Sequence, residues 1–307
     1  MTTKPRRVVV AINPSASFGA SRAVGPAVVQ TLRAMGHEVT SLTEPDFESL
    51  LASAAAAVRT KPDALVVVGG DGMVNLGTNL VVGTRVPLGI IPSGTGNDMA
   101  RGLGIPHDDT EAAIRHLDAV LGRPPRAIDA VRIDWTDAAT GDPGQRWFAC
   151  VLSAGFDAIV NERANSMRHP KGASRYILAL FAELARLHPI RYRLELDGTA
   201  DEVEALMVSV GNNVSIGGGM KVTPDALVDD GLLDVMIVKP LSRFSFLRIF
   251  PRVFRGEHVT DPRVRMERVR RIRIAADTEV VAYADGERIA PLPIQLEVVP
   301  GVLRVLA

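Results

Sequence analysis

A chain of 307 residues with 47% hydrophobic and 23% charged side chains has an ordinary globular balance and room for two domains, which excludes bulk disorder. Its 35 basic and 35 acidic residues leave a formal net charge of +0, so nothing in the overall charge points to a nucleic-acid partner. A single cysteine, Cys150, excludes an intrachain disulfide framework and favours a cytoplasmic setting. Its neighbours Phe148, Ala149, Val151 and Leu152 mark it as a buried structural thiol. No apolar run approaches the roughly 20 residues of a spanning helix, and the first residues lack the apolar core and cleavage site of a leader. The expectation is a soluble protein, at most peripheral on the inner face of a membrane.

In chain order, residues 7–12 form a short β-branched run that ends in Asn13-Pro14, the pattern of a buried strand entering a turn. Helical spacing follows over 21–35, a strand over 39–42 and an Ala-rich helix over 47–59. The run 64–68 predicts a second buried strand that leads into Gly69-Gly70-Asp71-Gly72, with a helix over 74–82 after it. Another strand, 88–91, leads into Pro92-Ser93-Gly94-Thr95-Gly96-Asn97-Asp98, and helices follow over 98–103 and 111–121. Buried strands alternating with helices predict an open parallel sheet covered on both faces.

Around Arg123-Pro124-Pro125-Arg126 the texture changes to period-two alternation with Asp-Gly turns. Strands are expected over 131–135, 147–153, 192–196, 204–211, 233–238, 270–275 and 279–283. Helices are expected only over 174–187 and 241–255, and hairpin turns at Asp197-Gly198 and Asp285-Gly286. The division is an α/β domain over 1–126 and an antiparallel β domain over 127–291. The last strand, within 292–307, is left open to return to the first domain.

Both glycine turns sit where a parallel strand ends, which is where ligands bind on open α/β sheets. Glycines there let the backbone approach a phosphate, and their N–H groups can form an anion nest. Asp71 beside phosphates makes sense as a ligand of the magnesium that travels with a nucleotide. Ser93 and Thr95 can donate hydroxyl hydrogen bonds, while Asn97 or Asp98 also reads as a plain helix cap. No Gly-x4-Gly-Lys-Ser/Thr occurs, which excludes a P-loop, and no dinucleotide fingerprint follows the first strand, where residues 13–19 stand instead. The six histidines are scattered without metal spacing.

Asn13-Pro14, the two glycine turns, Asp229-Asp230-Gly231-Leu232-Leu233-Asp234 and the late Asp285-Gly286-Glu287 together resemble the diacylglycerol kinase catalytic family. The likeness is to its bacterial soluble branch, which is similar to sphingosine and ceramide kinases, and it runs the length of the chain. The resemblance implies a Rossmann-like α/β nucleotide-binding domain over 1–126, an antiparallel β-sandwich lipid-substrate domain over 127–291, an active site in a cleft between them and an ATP- and Mg2+-dependent phosphotransfer to a lipid hydroxyl, with diacylglycerol the leading substrate. Asn13, Gly69, Gly70, Asp71, Gly72 and the Ser93–Asn97 turn would hold the nucleotide, with Asp98 and Asp129 supporting the metal. Glu287 would be the base, and Asp285 would share the magnesium-linked carboxylates. A second, structural metal would lie on the Asp230 side chain and the Leu227 and Leu232 carbonyls. The implied partner is a lipid substrate at a membrane surface, and a homodimer is compatible with the reading.

Two positions depart from the family's pattern: Met73 stands where it usually has Thr, and Leu76 where it usually has Glu. They imply an active enzyme with reduced or altered nucleotide use. An NAD kinase shares the first glycine turn and a two-domain plan, but the Gly94–Asp98 run argues against it. A non-catalytic lipid- or nucleotide-binding protein is the third reading. Residues 241–275 carry ten Arg against Glu257, Asp261 and Glu267, a local net of +7. Phe, Leu and Ile interleave with Arg over 241–255, which reads either as core or as a segment lying on anionic lipid.

Overall fold

Parallel pairing in the first half follows from runs that are apolar on both faces. In the computed structural model, which describes residues 4–14, 21–167, 173–184 and 188–307, β1 (Arg7–Ile12), β2 (Glu38–Leu42), β3 (Ala64–Gly69) and β4 (Leu88–Pro92) lie in the order β2-β1-β3-β4. All three neighbouring pairs are parallel, and every residue of β3 and β4 is buried. Helices α1 (Ser21–Ala34) and α5 (Thr110–Leu121) bury Val28, Leu32, Ile114 and Leu117 against the sheet. Helices α2 (Phe47–Arg59) and α3 (Asp71–Val81) pack on each other and on β1 and β3. Asp46 and Asp109 cap α2 and α5, accepting from Ser49 N at 2.7 Å and Ala112 N at 3.0 Å. The short helix α4 (Asp98–Leu103) follows β4. Residues 15–19, which follow Asn13-Pro14, and residues 185–187 of the helix expected over 174–187 lie outside the described residues.

Two compact units divide the chain, Met1–Ala130 with Pro300–Ala307, and Val131–Val299. The boundaries fall a few residues later than the sequence texture places them. Both fall inside long strands, β5 (Arg126–Thr136) and β16 (Ile294–Val305), the second of them at Pro300-Gly301, where Gly301 has φ 63. The end of β16 joins the first unit's sheet beside β4, with Val305 opposite Leu88 in parallel.

The second unit is an antiparallel sandwich. One sheet runs β12 (Val264–Val269), β11 (Leu233–Val238), β10 (Met207–Gly211), β7 (Val151–Gly155), β14 (Val281–Ala284) and β15 (Glu287–Pro291). The facing layer includes β13 (Arg271–Ala276), β8 (Ile190–Leu196) and β9 (Thr199–Ala205), with β16 beside β13, and β6 (Pro143–Phe148) pairs with β5. Alternate residues such as Leu152, Val210, Val235, Tyr192 and Ile274 fill the space between the layers. Around Phe156 and Val160 of α6 (Phe156–Ser166), a smaller cluster gathers Leu180 of α7 (Ala173–Leu184) and Phe246 of α8 (Arg243–Ile249).

Four sequence expectations change here. The strand expected over 147–153 is two strands, β6 and β7, broken at Ala149-Cys150, and the strand over 204–211 is β9 and β10, broken at Leu206. At Leu206 the chain turns out of the β8–β9 pair: its N–H reaches Val238 O at 2.7 Å and its carbonyl accepts from Phe156 N at 3.0 Å. Helix α6 was not expected, because Asp157, Asn161, Glu162 and Arg163 interrupt the apolar spacing. The helix over 241–255 ends as α-helix at Ile249 and continues as a tighter 3-10 turn, Phe250–Arg255, because Pro251 lacks the N–H that an α-helix needs. Both hairpin turns form as expected, with positive φ at Asp197 and Gly198 and at Asp285 and Gly286.

Gly155, at the end of β7, has φ +128, and a Cβ there would lie 2.6 Å from Tyr192 Oη, 2.7 Å from Leu206 O and 2.8 Å from Met207 Cα. Two of those atoms are backbone and cannot swing aside. Gly155→Ala is therefore expected to lose stability by more than about 3 kcal/mol in urea denaturation, combining overpacking with a forbidden φ.

Candidate active site

The carboxyl ends of β1, β3 and β4 bring Asn13 and both glycine turns to one edge of the first sheet. Asn13 N donates to Val68 O at 3.2 Å, and Ser93 N donates to Gly69 O at 2.9 Å. The two turns touch backbone to backbone: a Cβ on Gly94 would sit 2.4 Å from Gly70 Cα, and one on Gly70 would sit 3.1 Å from Gly94 Cα. Gly70 is also the N-cap of α3, with no side chain to fill the exposed end of that helix. Gly72 is half-buried there. Ser93 and Gly96 are half-exposed, while Gly94 and Thr95 are exposed.

Asn97 holds the second turn closed. Its backbone is left-handed, at φ 53, and its Oδ1 accepts from Gly94 N at 3.0 Å while Nδ2 donates to Gly94 O at 3.0 Å. Having folded back, Asn97 cannot cap α4. Asp71 does so from the other turn, its Oδ1 accepting from Asp98 N at 2.8 Å. The cap thus comes from 27 residues away in sequence. Burial pushes the Asp71 carboxyl above its usual range and the neighbouring charge of Asp98 adds to the rise, while N–H groups of Asp98, Asn97 and Met99 oppose it. Asp98 is itself buried, at 2% exposure.

Met73 and Leu76 are core residues, 2% and 3% exposed. Met73 Cγ would be 2.4 Å from a Cβ on Gly69, so the thioether chain packs beneath the first turn. Replacing it with the smaller, polar Thr would leave a void under the glycines.

In the second unit Asp285 is held by backbone donors. Its Oδ2 accepts from Ala149 N at 3.0 Å, and its Oδ1 accepts from Cys150 N at 3.0 Å and Val151 N at 3.1 Å. The carboxylate is 7% exposed and occupied by backbone donors, so it acts as a structural clamp. The carbonyl side of the same segment is held as well, Cys150 O accepting from Asn212 N at 2.8 Å and Asn213 N at 3.1 Å. This clamp is why the expected strand over 147–153 breaks. Cys150 is a buried thiol outside any disulfide, as its neighbours imply, and its Sγ accepts from Asn213 Nδ2 at 3.4 Å.

The same turn presents Glu287, exposed at the first position of β15 and opposite Ala284. The adjacent Arg288 lies 3.7 Å from Glu162 of α6, so the basic residue of the turn is drawn towards α6. Asp129, 1% exposed, accepts from Gly301 N at 2.8 Å and so fastens the returning C-terminal segment. Asp230 accepts from Leu232 N at 3.0 Å and pairs with Arg268, whose guanidinium also lies 3.5 Å from Asp234. A cation already stands at that loop in the form of a side chain. Leu227 is 56% exposed and Leu232 half-buried. Among the described residues no three His, Cys, Asp or Glu side chains gather as a metal cluster.

Sequence reasoning missed Asp157, in the first turn of α6. Burial pushes its carboxyl up to about 6, partly offset by the hydroxyls of Ser153 and Ser209 and by the Ala158 N–H. Ser153 and Ser209 face each other across the β7–β10 pair. The one sequence signal was an Asp placed directly after the Gly155-Phe156 strand end.

Residues 7–133 match the diacylglycerol kinase catalytic domain, and residues 150–307 match the YegS C-terminal NAD kinase beta sandwich-like domain. A diacylglycerol kinase of Mycobacterium tuberculosis is 39% identical over 302 residues, covering 98% of this chain and 94% of its own length. One from Bacillus subtilis is 28% identical over 269 residues, covering 87% and 84%. A crystal structure of a diacylglycerol kinase from Bacillus anthracis superposes with TM-score 0.70 at 22% identity, over 99% of this chain and 97% of that one. Yeast NADH kinase complexed with NADH follows at TM-score 0.59 and 13% identity, over 99% and 83%, which is a likeness of fold. The chain belongs to the diacylglycerol kinase family, and is thereby a phosphotransferase by descent. Among the described residues no helix is long and apolar enough to cross a membrane.

Gly94→Ala is expected to push the two turns apart and lower phosphotransfer roughly hundredfold, as a displacement of about 1 Å does in a positioned site. Steady-state assay beside a thermal melt separates this from unfolding. For Asp157 the folded value of about 6 lies above the unfolded 3.8, so the native state holds a proton that the unfolded chain has released between those values. Stability contributed by this group falls as pH rises through that window and stays low above it. Asp157→Asn is expected to be more stable than wild type by up to about 3 kcal/mol at neutral pH, with the gap closing below about pH 4, read by urea denaturation.

Proposed function

We propose that this protein is an ATP- and magnesium-dependent lipid kinase that moves the γ-phosphate to a lipid hydroxyl, diacylglycerol yielding phosphatidic acid. The observation that carries the reading is the pair of touching glycine turns with Asp71 and Asp98 beside them. Glycines in contact leave no Cβ between backbone and phosphate. Asp71, raised by the charge of Asp98 as well as by burial, has the donor chemistry that suits magnesium. Asp71 and Asp98 would hold that ion, which when bound supplies neutralisation of phosphate charge.

The protein's own part is positioning and proton transfer. The turns orient the nucleotide phosphates, with Ser93 and Thr95 donating hydroxyl hydrogen bonds. Glu287, presented by the clamped Asp285-Gly286 turn, accepts the proton of the lipid hydroxyl as its oxygen bonds to the γ-phosphorus. The bond from that phosphorus to the β–γ bridging oxygen breaks, and ADP leaves with the electron pair. The diacylglycerol kinase relatives support the choice of lipid.

Labelled γ-phosphate transfer to diacylglycerol, monoacylglycerol, sphingosine and ceramide in mixed micelles tests the reading, with NAD as a control. A phosphorylated diacylglycerol is the expected product. Glu287→Gln should lower kcat by about 10²–10⁴ with KM and thermal midpoint unchanged, because the residue is exposed. Phosphorylation of NAD with every lipid untouched would replace this reading by an NAD kinase. Nucleotide binding without transfer to any acceptor would replace it by a binding protein.

A further inference from the structure

Helix α8 and the 3-10 turn after it carry apolar side chains on two sides. On the inner side Phe246, Ile249 and Val253 are buried. On the outer side Phe244 is 78%, Leu247 44% and Phe254 50% exposed, and Pro251 is exposed between them. Positions 244 and 247 on α8 and 251 and 254 on the 3-10 turn are each three residues apart, a spacing that keeps each pair on one side, and the segment from 244 to 254 is about 15–18 Å long at the rises of the two helix types. That is long enough to lie in a bilayer interface and too short to span a bilayer.

The stripe is rigidly mounted. Phe246 meets Phe156 of α6 edge to face with centroids 5.0 Å apart, Phe250 stacks on Phe246 at 5.6 Å, and the exposed Phe254 meets Phe250 edge-on at 6.3 Å. An outward Phe held by a ladder of rings is not a side chain that folds back into the core.

Its surroundings are basic. Arg243, Arg248 and Arg255 are exposed on the same segment. Beside α8 a groove of about 300 Å³ is lined by Phe244, Arg248, Arg252 and Arg263 together with Asp261. The Asp261 charge is already matched, since Arg263 donates to its two oxygens at 2.8 and 2.9 Å. Arg252 donates to neutral acceptors, Glu257 O at 2.8 Å and Thr260 Oγ1 at 2.7 Å. The groove therefore offers net positive charge next to an exposed Phe.

We infer that the outer face of α8 and the 250–255 turn is a docking surface for an anionic lipid bilayer, with Phe244, Leu247 and Phe254 inserted among the acyl chains and Arg248 and Arg252 against the phosphate head groups. Charge complementarity selects this occupant. An apolar stripe alone would suit any greasy partner, whereas arginines flanking it suit a surface that is apolar within and anionic at its rim. The surface deepens the lipid-kinase reading, because it would place the second unit at the layer from which a lipid hydroxyl is drawn. Vesicle binding is measured without ATP or turnover, so the two ideas can fail separately.

The full chain is mixed with vesicles of phosphatidylcholine alone or with phosphatidylglycerol added, and bound protein is sedimented. Wild type is expected to pellet with the anionic vesicles only and to be released at about 0.5 M salt. The double variant Phe244→Ser, Leu247→Ser and, separately, Arg248→Glu should each weaken vesicle binding by about tenfold or more, with thermal midpoints unchanged because these side chains are exposed. Phosphorylation of a short-chain diacylglycerol in detergent should stay at the wild-type rate in both variants. Wild type remaining in the supernatant with anionic vesicles would overturn the proposal, as would variants that pellet like wild type. So would a stripe variant that turns a dimer into a monomer in analytical ultracentrifugation while vesicle binding persists, since the stripe would then face a second copy of the chain.

Discussion

The contact between Gly70 and Gly94 is the constraint on which the candidate site depends. With a hypothetical Cβ on Gly94 only 2.4 Å from Gly70 Cα, neither turn has room for a side chain facing the other. Because the turns meet, the carboxylate of one can reach the helix that follows the other. Asp71 then caps α4 at 2.8 Å, a bond that ties two successive strand–turn–helix units together. Asn97 is thereby released from capping and closes its own turn on Gly94.

A carboxylate does comparable work in the second unit, by a different route. Asp285 gathers three backbone N–H groups of the segment 149–151, which would otherwise be lost donors at a strand break. Its left-handed backbone, φ 50, lets Gly286 and Glu287 emerge from a tight hairpin with Glu287 in solvent. The turn is built from the clamp outwards. Asp129 works in the same manner in the first unit, holding Gly301 N at 2.8 Å. Asp71 likewise accepts from backbone, at Asp98 N, and the charge of Asp98 beside it adds to the rise that burial gives its carboxyl.

Met73 and Leu76 illustrate how a departure from a family pattern reads differently once packing is known. In sequence they replace polar residues near a phosphate turn, and altered nucleotide handling is the natural inference. In the fold both are enclosed, and Met73 fills the space under Gly69. Met73 thus supports the turn, since a flexible thioether fits irregular gaps without strain.

Much of this was legible from sequence by itself. Unbroken apolar runs at 64–68 and 88–91 identified doubly covered parallel strands, and the glycine clusters after them marked the strand ends at which the two turns meet. The Asp-Gly pairs at 197–198 and 285–286 identified their hairpins through the φ values those residues tolerate. What tertiary structure alone decided were matters of partnership. The breaks at Ala149-Cys150 and Leu206 interrupt stretches whose local pattern is continuous, and they arise from donors and acceptors far along the chain. Helix α6 forms from a weakly patterned segment because a ready apolar surface receives Phe156 and Val160. The pairing of Asp71 with α4, the clamp at Asp285 and the enclosed carboxyl of Asp157 depend on distances between residues remote in sequence, and local spacing carries no record of those distances.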